Sequence, residues 1–322
     1  MLSNDFGGNL LQLSHSVKMM GTIIDIVLDS DTPHQHIKEV CHLLTVYKNR
    51  FSANDNDSEL MMINHKAGIA PVTVHPDLFE LIELGKTHSL LQASNLDIAI
   101  GPLVQSWRIG FEDAKVPDKE NIQKAITLTN PEHIILNAAE KSVFLKRKGM
   151  QIDLGALAKG YIADKIMDYL KTEKVSSAMI NLGGNVLVYG DNPKREHGIW
   201  HIGIQHPQKQ PGNNLGMLTI KDKSVVTSGI YERHLQVGDK DYHHIFDRHM
   251  GYPIETDMAS LTIVSDLSVD GEIWTTRLFG LPIKQAFETM QSTQNIEGII
   301  ITKDNRFAVT NGLKQAFQLL YS

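Results

Sequence analysis

The sequence predicts an α+β protein: antiparallel sheets with packed helices, in one continuous unit over residues 1–322. Stretches with apolar residues at helical spacing, such as 36–51 and 157–171, are interspersed with stretches of strand periodicity, such as WHIGIQHP at 200–207. Short polar turns between apolar runs, as at 303–306, mark hairpins and hence antiparallel pairing. No internal repeat, low-complexity tract or linker divides the chain. With 322 residues, 42% hydrophobic and 21% charged, it is long enough to bury a large core. The net charge is -6 and no Lys/Arg run occurs, which argues against nucleic acid as a partner. The single cysteine, Cys41, sits at an apolar helix position and has no partner for an internal disulfide. The opening stretch MLSNDFGGNLLQLSHSVKMMG has no basic and then apolar leader pattern and no lipobox-like cysteine. No apolar run approaches about 18 residues, so a cytoplasmic chain without a membrane span is expected.

In chain order, residues 16–28 read as a strand; Gly21 within it marks either close approach by a ligand or backbone, or a bulge. Residues 36–51 form an amphipathic helix with Ile37, Val40, Leu44 and Tyr47 on one face. Ser58 is placed to cap a short helix. Residues 76–94 are helical, a strand ends at Gly101-Pro102, and a helical turn starts at 103–107. A polar loop leads to a short helix near 119–126, then a hairpin pairs 134–136 with 142–145. Residues 149–190 organise the rest: a strand at 150–154, a glycine turn, a helix at 157–171, a strand, the pair Gly183-Gly184, and another strand. Asp153, the backbone of Ala156 and Lys159 thereby gather at one helix N-terminus. A carboxylate, a cation and free N–H groups in one place suit a phosphorylated ligand with a metal; a plain turn with a surface lysine is the alternative. Strands follow at 200–207 and 216–226, a hairpin at 234–246 with its exit strand at 242–247, and a strand at 259–265. A helix from 269 runs on through 290, and a hairpin of 296–302 with 307–309 closes the chain.

The run Asp153, Leu154, Gly155, Ala158, Lys159, Gly160, Tyr161 and Asp164, followed by Asn181, Gly183 and Gly184, resembles the signature of the ApbE family, the FAD:protein FMN transferases. Further motifs of that family appear in order between residues 20 and 280. They are Met20-Gly21-Thr22; Phe51-Ser52 with Ser58, Glu59 and Asn64; Asn95-Leu96-Asp97 with Gly101-Pro102-Leu103 and Trp107; Thr227-Ser228-Gly229 with Tyr231 and Arg233; His244 with Phe246, Asp247, Gly251 and Pro253; and Glu272 with Thr276. The chain departs from the family pattern in places. Asn54 stands where many members carry an aromatic residue able to stack on the flavin. Arg248, His249 and Met250 replace P-x-T, and Glu272 replaces an aspartate.

The resemblance implies a T-fold-like arrangement and a Mg²⁺-dependent transfer of FMN from FAD to a Thr or Ser hydroxyl of an acceptor protein, releasing AMP. It implies flavin dinucleotide contacts at Met20, Asn54, Asn95, Leu96, Asp97, Asp153, Lys159 and Phe246. His244 is the implied catalytic base. Ala156, Glu272 and Thr276 are the implied metal ligands, with Thr275 as a possible further oxygen and Asp270 as a rival to Glu272. Residues four apart on a helix lie on one face, so Glu272 and Thr276 reach a common point. Asn54 keeps open hydrolysis of FAD to FMN and AMP, and a non-catalytic FAD-binding protein is a third reading. No G-x-x-x-x-G-K-[ST], G-x-S-x-G, C-x-x-C or H-E-x-x-H motif occurs, which excludes the P-loop, nucleophile-elbow and common zinc patterns.

Overall fold

Alternation of apolar residues in the first strands builds the hairpin on which a large sheet is laid. The computed structural model describes residues 11–320, so the leader reading of the opening stretch falls partly outside the described residues. β1 (Leu11–Met19) and β2 (Thr22–Ser30) pair antiparallel. Ile24, Ile26 and Leu28 of β2 are buried while Ile23 is exposed, the strand period of two. The expected single strand over 16–28 is therefore two strands. Met20 and Gly21 both adopt left-handed backbone, φ 52° and 72°, and form the turn between them, which replaces both the bulge and the uninterrupted strand.

α1 (Pro33–Phe51) and α2 (Glu59–His65) follow. Ser58 caps α2: its hydroxyl accepts from Met61 N–H at 3.1 Å and donates to the Ser52 carbonyl at 2.5 Å. Ser58→Ala is expected to cost about 1–2 kcal/mol in a denaturant titration, because two bonds of a buried hydroxyl go with it. Next come β3 (Val72–Thr73), α3 (Pro76–Ser89), α4 (Gly101–Trp107), α5 (Lys119–Leu128), β4 (Ile134–Asn137) and β5 (Ser142–Leu145). α3 stops short of the expected residue 94. The Ser89 hydroxyl turns back to the Gly85 carbonyl and accepts from Ile98 N–H, pinning the returning chain.

The remaining elements are α6 (Ala158–Thr172), β6 (Ser177–Leu182), β7 (Asn185–Tyr189), β8 (Trp200–Gln205), β9 (Asn214–Ile220), β10 (Ser224–Gly229), β11 (His234–Val237), β12 (Lys240–His243), β13 (Met258–Ser265), α7 (Ser268–Leu278), α8 (Ile283–Ser292), β14 (Ile296–Thr302), β15 (Phe307–Val309) and β16 (Phe317–Leu319). The main sheet runs β1-β2-β6-β7-β10-β13-β14-β15, and every pairing in it is antiparallel. The fold is α+β with antiparallel sheets, as the hairpin signals imply. One face of the sheet packs Ile26, Ile180 and Leu187 against Leu44 of α1 and Ile162 and Ile166 of α6. The small sheet β16-β9-β8 covers the other face, where Val186 and Val188 meet Trp200, Ile202 and Leu218. Central strands are thus buried on both sides, which is why β13 reads as a continuous run with all eight residues buried.

Several expected boundaries shift for local reasons. Residues 150–154 are extended but join no sheet. Asn64 takes the place of a neighbouring strand: its amide accepts from Ile152 N–H at 2.8 Å and donates to the Ile152 carbonyl at 3.0 Å. The expected strand ending at Gly101 is not formed; between α3 and α4 Asp97 makes a turn instead. The expected strand at 216–226 is broken at Asp222, φ 50°, so β9 belongs to the small sheet and β10 to the large one. The exit strand of the 234–246 hairpin ends at His243, and Phe246 forms only an isolated bridge to Pro253. The long helix after 269 divides into α7 and α8, because Gly280 turns left-handed at φ 85° and Pro282 has no N–H to continue the ladder.

Candidate active site

The N-terminus of α6 is the centre of the site. The chain reaches it through Asp153, whose N–H bonds the Ile98 carbonyl at 2.9 Å and whose carboxylate accepts from Gly155 N–H at 2.7 Å. Burial pushes the Asp153 carboxyl up, while the Gly155 N–H and the charge of Arg233 pull it down. Ala156 lies in the turn before α6, and Lys159 stands in the helix's first turn.

α7 crosses α6 at close range. A Cβ on Gly160 would lie 2.6 Å from the Ser268 carbonyl oxygen and 2.8 Å from Glu272 Cγ, so the glycine is what permits the contact. One turn further along α6, the Asp164 carboxylate accepts from the N–H groups of Ser268 and Val269 at 2.7 and 2.8 Å. It therefore caps α7 from a different helix. Burial pushes Asp164 up to about 6 against the pull of those two bonds.

Glu272 is 4% exposed. Its Oε1 accepts from Asn185 Nδ2 at 2.9 Å and lies 3.9 Å from Lys159 Nζ; Oε2 takes no hydrogen bond from the described residues. Burial pushes its carboxyl up, and Lys159 and Asn185 oppose that shift. Thr276, one turn on, is partly exposed, whereas Thr275 is fully buried and its hydroxyl donates to the Glu272 carbonyl at 3.1 Å. Among the described residues no three His, Cys, Asp or Glu side chains cluster closely enough to hold a metal. Glu272 and Thr276 stand one turn apart on α7, and Ala156 precedes α6, which packs against α7; a carboxylate, a hydroxyl and a carbonyl are hard oxygen donors of the kind that suits Mg²⁺.

The adjacent histidines after β11 part company. His243 is buried, with Nε2 on the Ile254 carbonyl at 2.9 Å and Nδ1 accepting from Ile245 N–H at 3.3 Å. His244 is half-buried, and its ring Nδ1 and its backbone N–H both meet the Arg233 carbonyl at 3.2 Å. A carbonyl only accepts, so Nδ1 carries the proton and Nε2 keeps its lone pair. Desolvation pushes His244 down to about 4; the charges of Arg233 and Lys159 act the same way, and the bond to the Arg233 carbonyl opposes them. Lys159 thus acts on both Glu272 and His244.

Other implied contact residues are placed differently. Asn95 donates to the Phe279 carbonyl, Leu96 is 1% exposed, and Asp97 accepts from Ala99 N–H at 2.8 Å and faces Arg248 Nη1 at 3.4 Å. All three side chains are committed within the protein. Phe246 is buried beside Trp107, with ring centroids 5.8 Å apart. Met20 lies in the β1–β2 turn, and Asn54 is exposed and accepts from Gln105 at 3.3 Å.

Sequence reasoning assigns no site role to Asn185, Arg233, Glu232 or Arg248. Arg233 passes over Gly110, where a Cβ would lie 2.9 Å from its Cδ, and reaches the turn at Gly21. Glu232 keeps an exposed surface, but crowding by protein around its carboxyl, with Lys159 pulling against it and Glu272 adding to it, pushes it up to about 7. Arg248 also donates to the Ser89 carbonyl at 2.8 Å, tying the loop after His244 to the Asp97 turn. A separate cleft of about 430 Å³ opens behind Asp97, lined in part by Arg147, Arg248 and His249; Lys159, His244 and Glu272 do not line it.

Comparison with known proteins places the chain in a family. The model of the ApbE family matches residues 20–300. A Klebsiella pneumoniae (strain 342) protein named FAD:protein FMN transferase is 40% identical over 309 residues, covering 96% of this chain and 95% of its own. A Treponema pallidum (strain Nichols) protein of the same name is 32% identical over 324 residues, covering 96% and 90%. In fold, the chain is similar to the ApbE protein of Thermotoga maritima, with TM-score 0.87 and 23% identity, and to the flavin transferase ApbE of Vibrio cholerae, with TM-score 0.83 and 24% identity. Each alignment covers 95% of this chain and 99% of the other. The family model spans most of the chain and the first of these relatives matches it nearly end to end, so the chain belongs to the ApbE family.

Proposed function

We propose that this chain, acting as one unit, transfers the FMN half of FAD to a threonine or serine hydroxyl of an acceptor protein and releases AMP. The observation that carries the reading is the meeting of Lys159, Glu272 and the α6 N-terminus at one point, with the electrostatic reach of Lys159 extending to His244. The names of the two relatives support it. The acceptor oxygen attacks the FMN-side phosphorus, the bond from that phosphorus to the AMP phosphate oxygen breaks, and the hydroxyl proton passes to His244 Nε2. Lys159 and the first N–H groups of α6 hold diphosphate oxygens in place. Glu272, Thr276 and the Ala156 carbonyl would hold Mg²⁺, which when bound neutralises diphosphate charge.

Asn54 favours a second reading. Exposed and bonded to Gln105, it offers no ring to cover the flavin, and water then competes with the acceptor hydroxyl to give FMN and AMP. Incubation with FAD, Mg²⁺ and a Thr- or Ser-bearing flavoprotein acceptor separates the outcomes. Flavin fluorescence that stays with the acceptor on a denaturing gel, with stoichiometric AMP, supports transfer. FMN and AMP formed at the same rate without acceptor replaces it by hydrolysis, and unchanged FAD reduces the protein to a binder.

A further inference from the structure

We infer that Asn185 is a positioning residue for Glu272, and that its amide fits this cleft to a glutamate rather than to the shorter aspartate. The inference rests on the reading of Glu272 as a metal ligand.

Asn185, Ser268 and Glu272 are all buried, at 1%, 0% and 4% exposure. The Ser268 hydroxyl lies 2.6 Å from Asn185 Oδ1, and Asn185 Nδ2 lies 2.9 Å from Glu272 Oε1. An ionised carboxylate only accepts, so the NH₂ end of the amide must face Glu272 and the oxygen end must face Ser268. The serine in turn sits at the start of α7, where Asp164 fixes the backbone through the N–H groups of residues 268 and 269. The carboxylate therefore cannot rotate without breaking a buried hydrogen-bond chain, and Oε2 is the oxygen left to a ligand.

Gly160 lets α7 lie this close to α6: a Cβ there would meet the Ser268 carbonyl oxygen at 2.6 Å and Glu272 Cγ at 2.8 Å, so the glycine serves the helix contact itself, and the length of the acid is read by Asn185. An aspartate at 272 is shorter by one bond of about 1.5 Å. From the same backbone its oxygen would fall out of hydrogen-bond range of Asn185, leaving a buried NH₂ unpaired.

The test is Mn²⁺ affinity of the flavin-free protein, followed by electron paramagnetic resonance, with Mg²⁺ as competitor and thermal melts as a check on folding. Asn185→Ala is expected to weaken Mn²⁺ binding about 10- to 100-fold, the usual effect of removing a group that orients a metal ligand. Glu272→Asp is expected to weaken it at least about 10-fold although the charge is kept. The double variant should bind no worse than Glu272→Asp alone, because the shorter acid no longer reaches the amide. Affinity within about twofold of the parent in Asn185→Ala, or equal or tighter binding in Glu272→Asp, overturns the inference while leaving the metal reading intact. If the parent protein takes up no Mn²⁺, both fall together. If Asn185→Ala does not fold, Glu272→Asp decides the matter alone.

Discussion

Glu272→Ala is expected to lower Mg²⁺-dependent release of AMP by at least about 10³-fold, or some 4 kcal/mol of transition-state stabilisation. The carboxylate is nearly inaccessible, held by Asn185 and close to Lys159, and no group of three acids, histidines or cysteines gathers around it among the described residues. Stability is affected separately: removal relieves the desolvation cost of the ionised acid but strands the buried Asn185 Nδ2 and leaves a void beside Gly160, so the melting temperature should change far less than the rate. Activity measured together with a melt separates these effects. A variant that keeps more than about a tenth of the parent rate removes Glu272 from the metal site.

His244→Gln is expected to lower kcat by about 10²–10⁴-fold with little change in FAD affinity, the range for loss of a general base. The amide keeps a hydrogen bond to the Arg233 carbonyl but has no lone-pair nitrogen to take a proton. The pH profile gives a sharper check. Protonation inactivates a base, so activity is lost as pH falls through its folded pKa. With His244 held down to about 4, the acid limb of kcat/KM assigned to it lies near pH 4, well below the ordinary 6.5. A bound diphosphate adds negative charge and raises the ring's pKa, so the limb of kcat should lie at higher pH than that of kcat/KM. Identical profiles in parent and variant would remove the base assignment.

Elements whose signal lies within a few residues are legible in the sequence. The hairpin of β14 and β15, the Ser58 cap and the α6 helix all follow from apolar spacing and turn chemistry. Breaks made by one backbone angle are less so: Asp222, left-handed at φ 50°, divides two strands inside the stretch 216–226 that reads as one. Pairing by a distant side chain is not legible. Residues 150–154 have strand character, but their partner is the Asn64 amide, 88 positions away. The same limit applies to the site. Motif residues such as Lys159 and Glu272 can be named from local pattern. Asn185 matters through bonds to Ser268 and Glu272, 83 and 87 positions distant, and Glu232 through its distance from Lys159 and Glu272. Asp97 shows the converse: a motif residue whose carboxylate the fold turns onto its own backbone and Arg248.

The cap that Asp164 lends to α7 has a consequence for how the cleft is assembled. Its two walls are held to each other by the protein's own hydrogen bonds, because a side chain of one helix completes the first turn of the other. Filling the cleft should therefore require little reordering of these two helices. Amide hydrogens in the first turn of α7 should exchange slowly in the empty protein and slow little further when the cleft is occupied. Asp164→Ala should speed their exchange in both states.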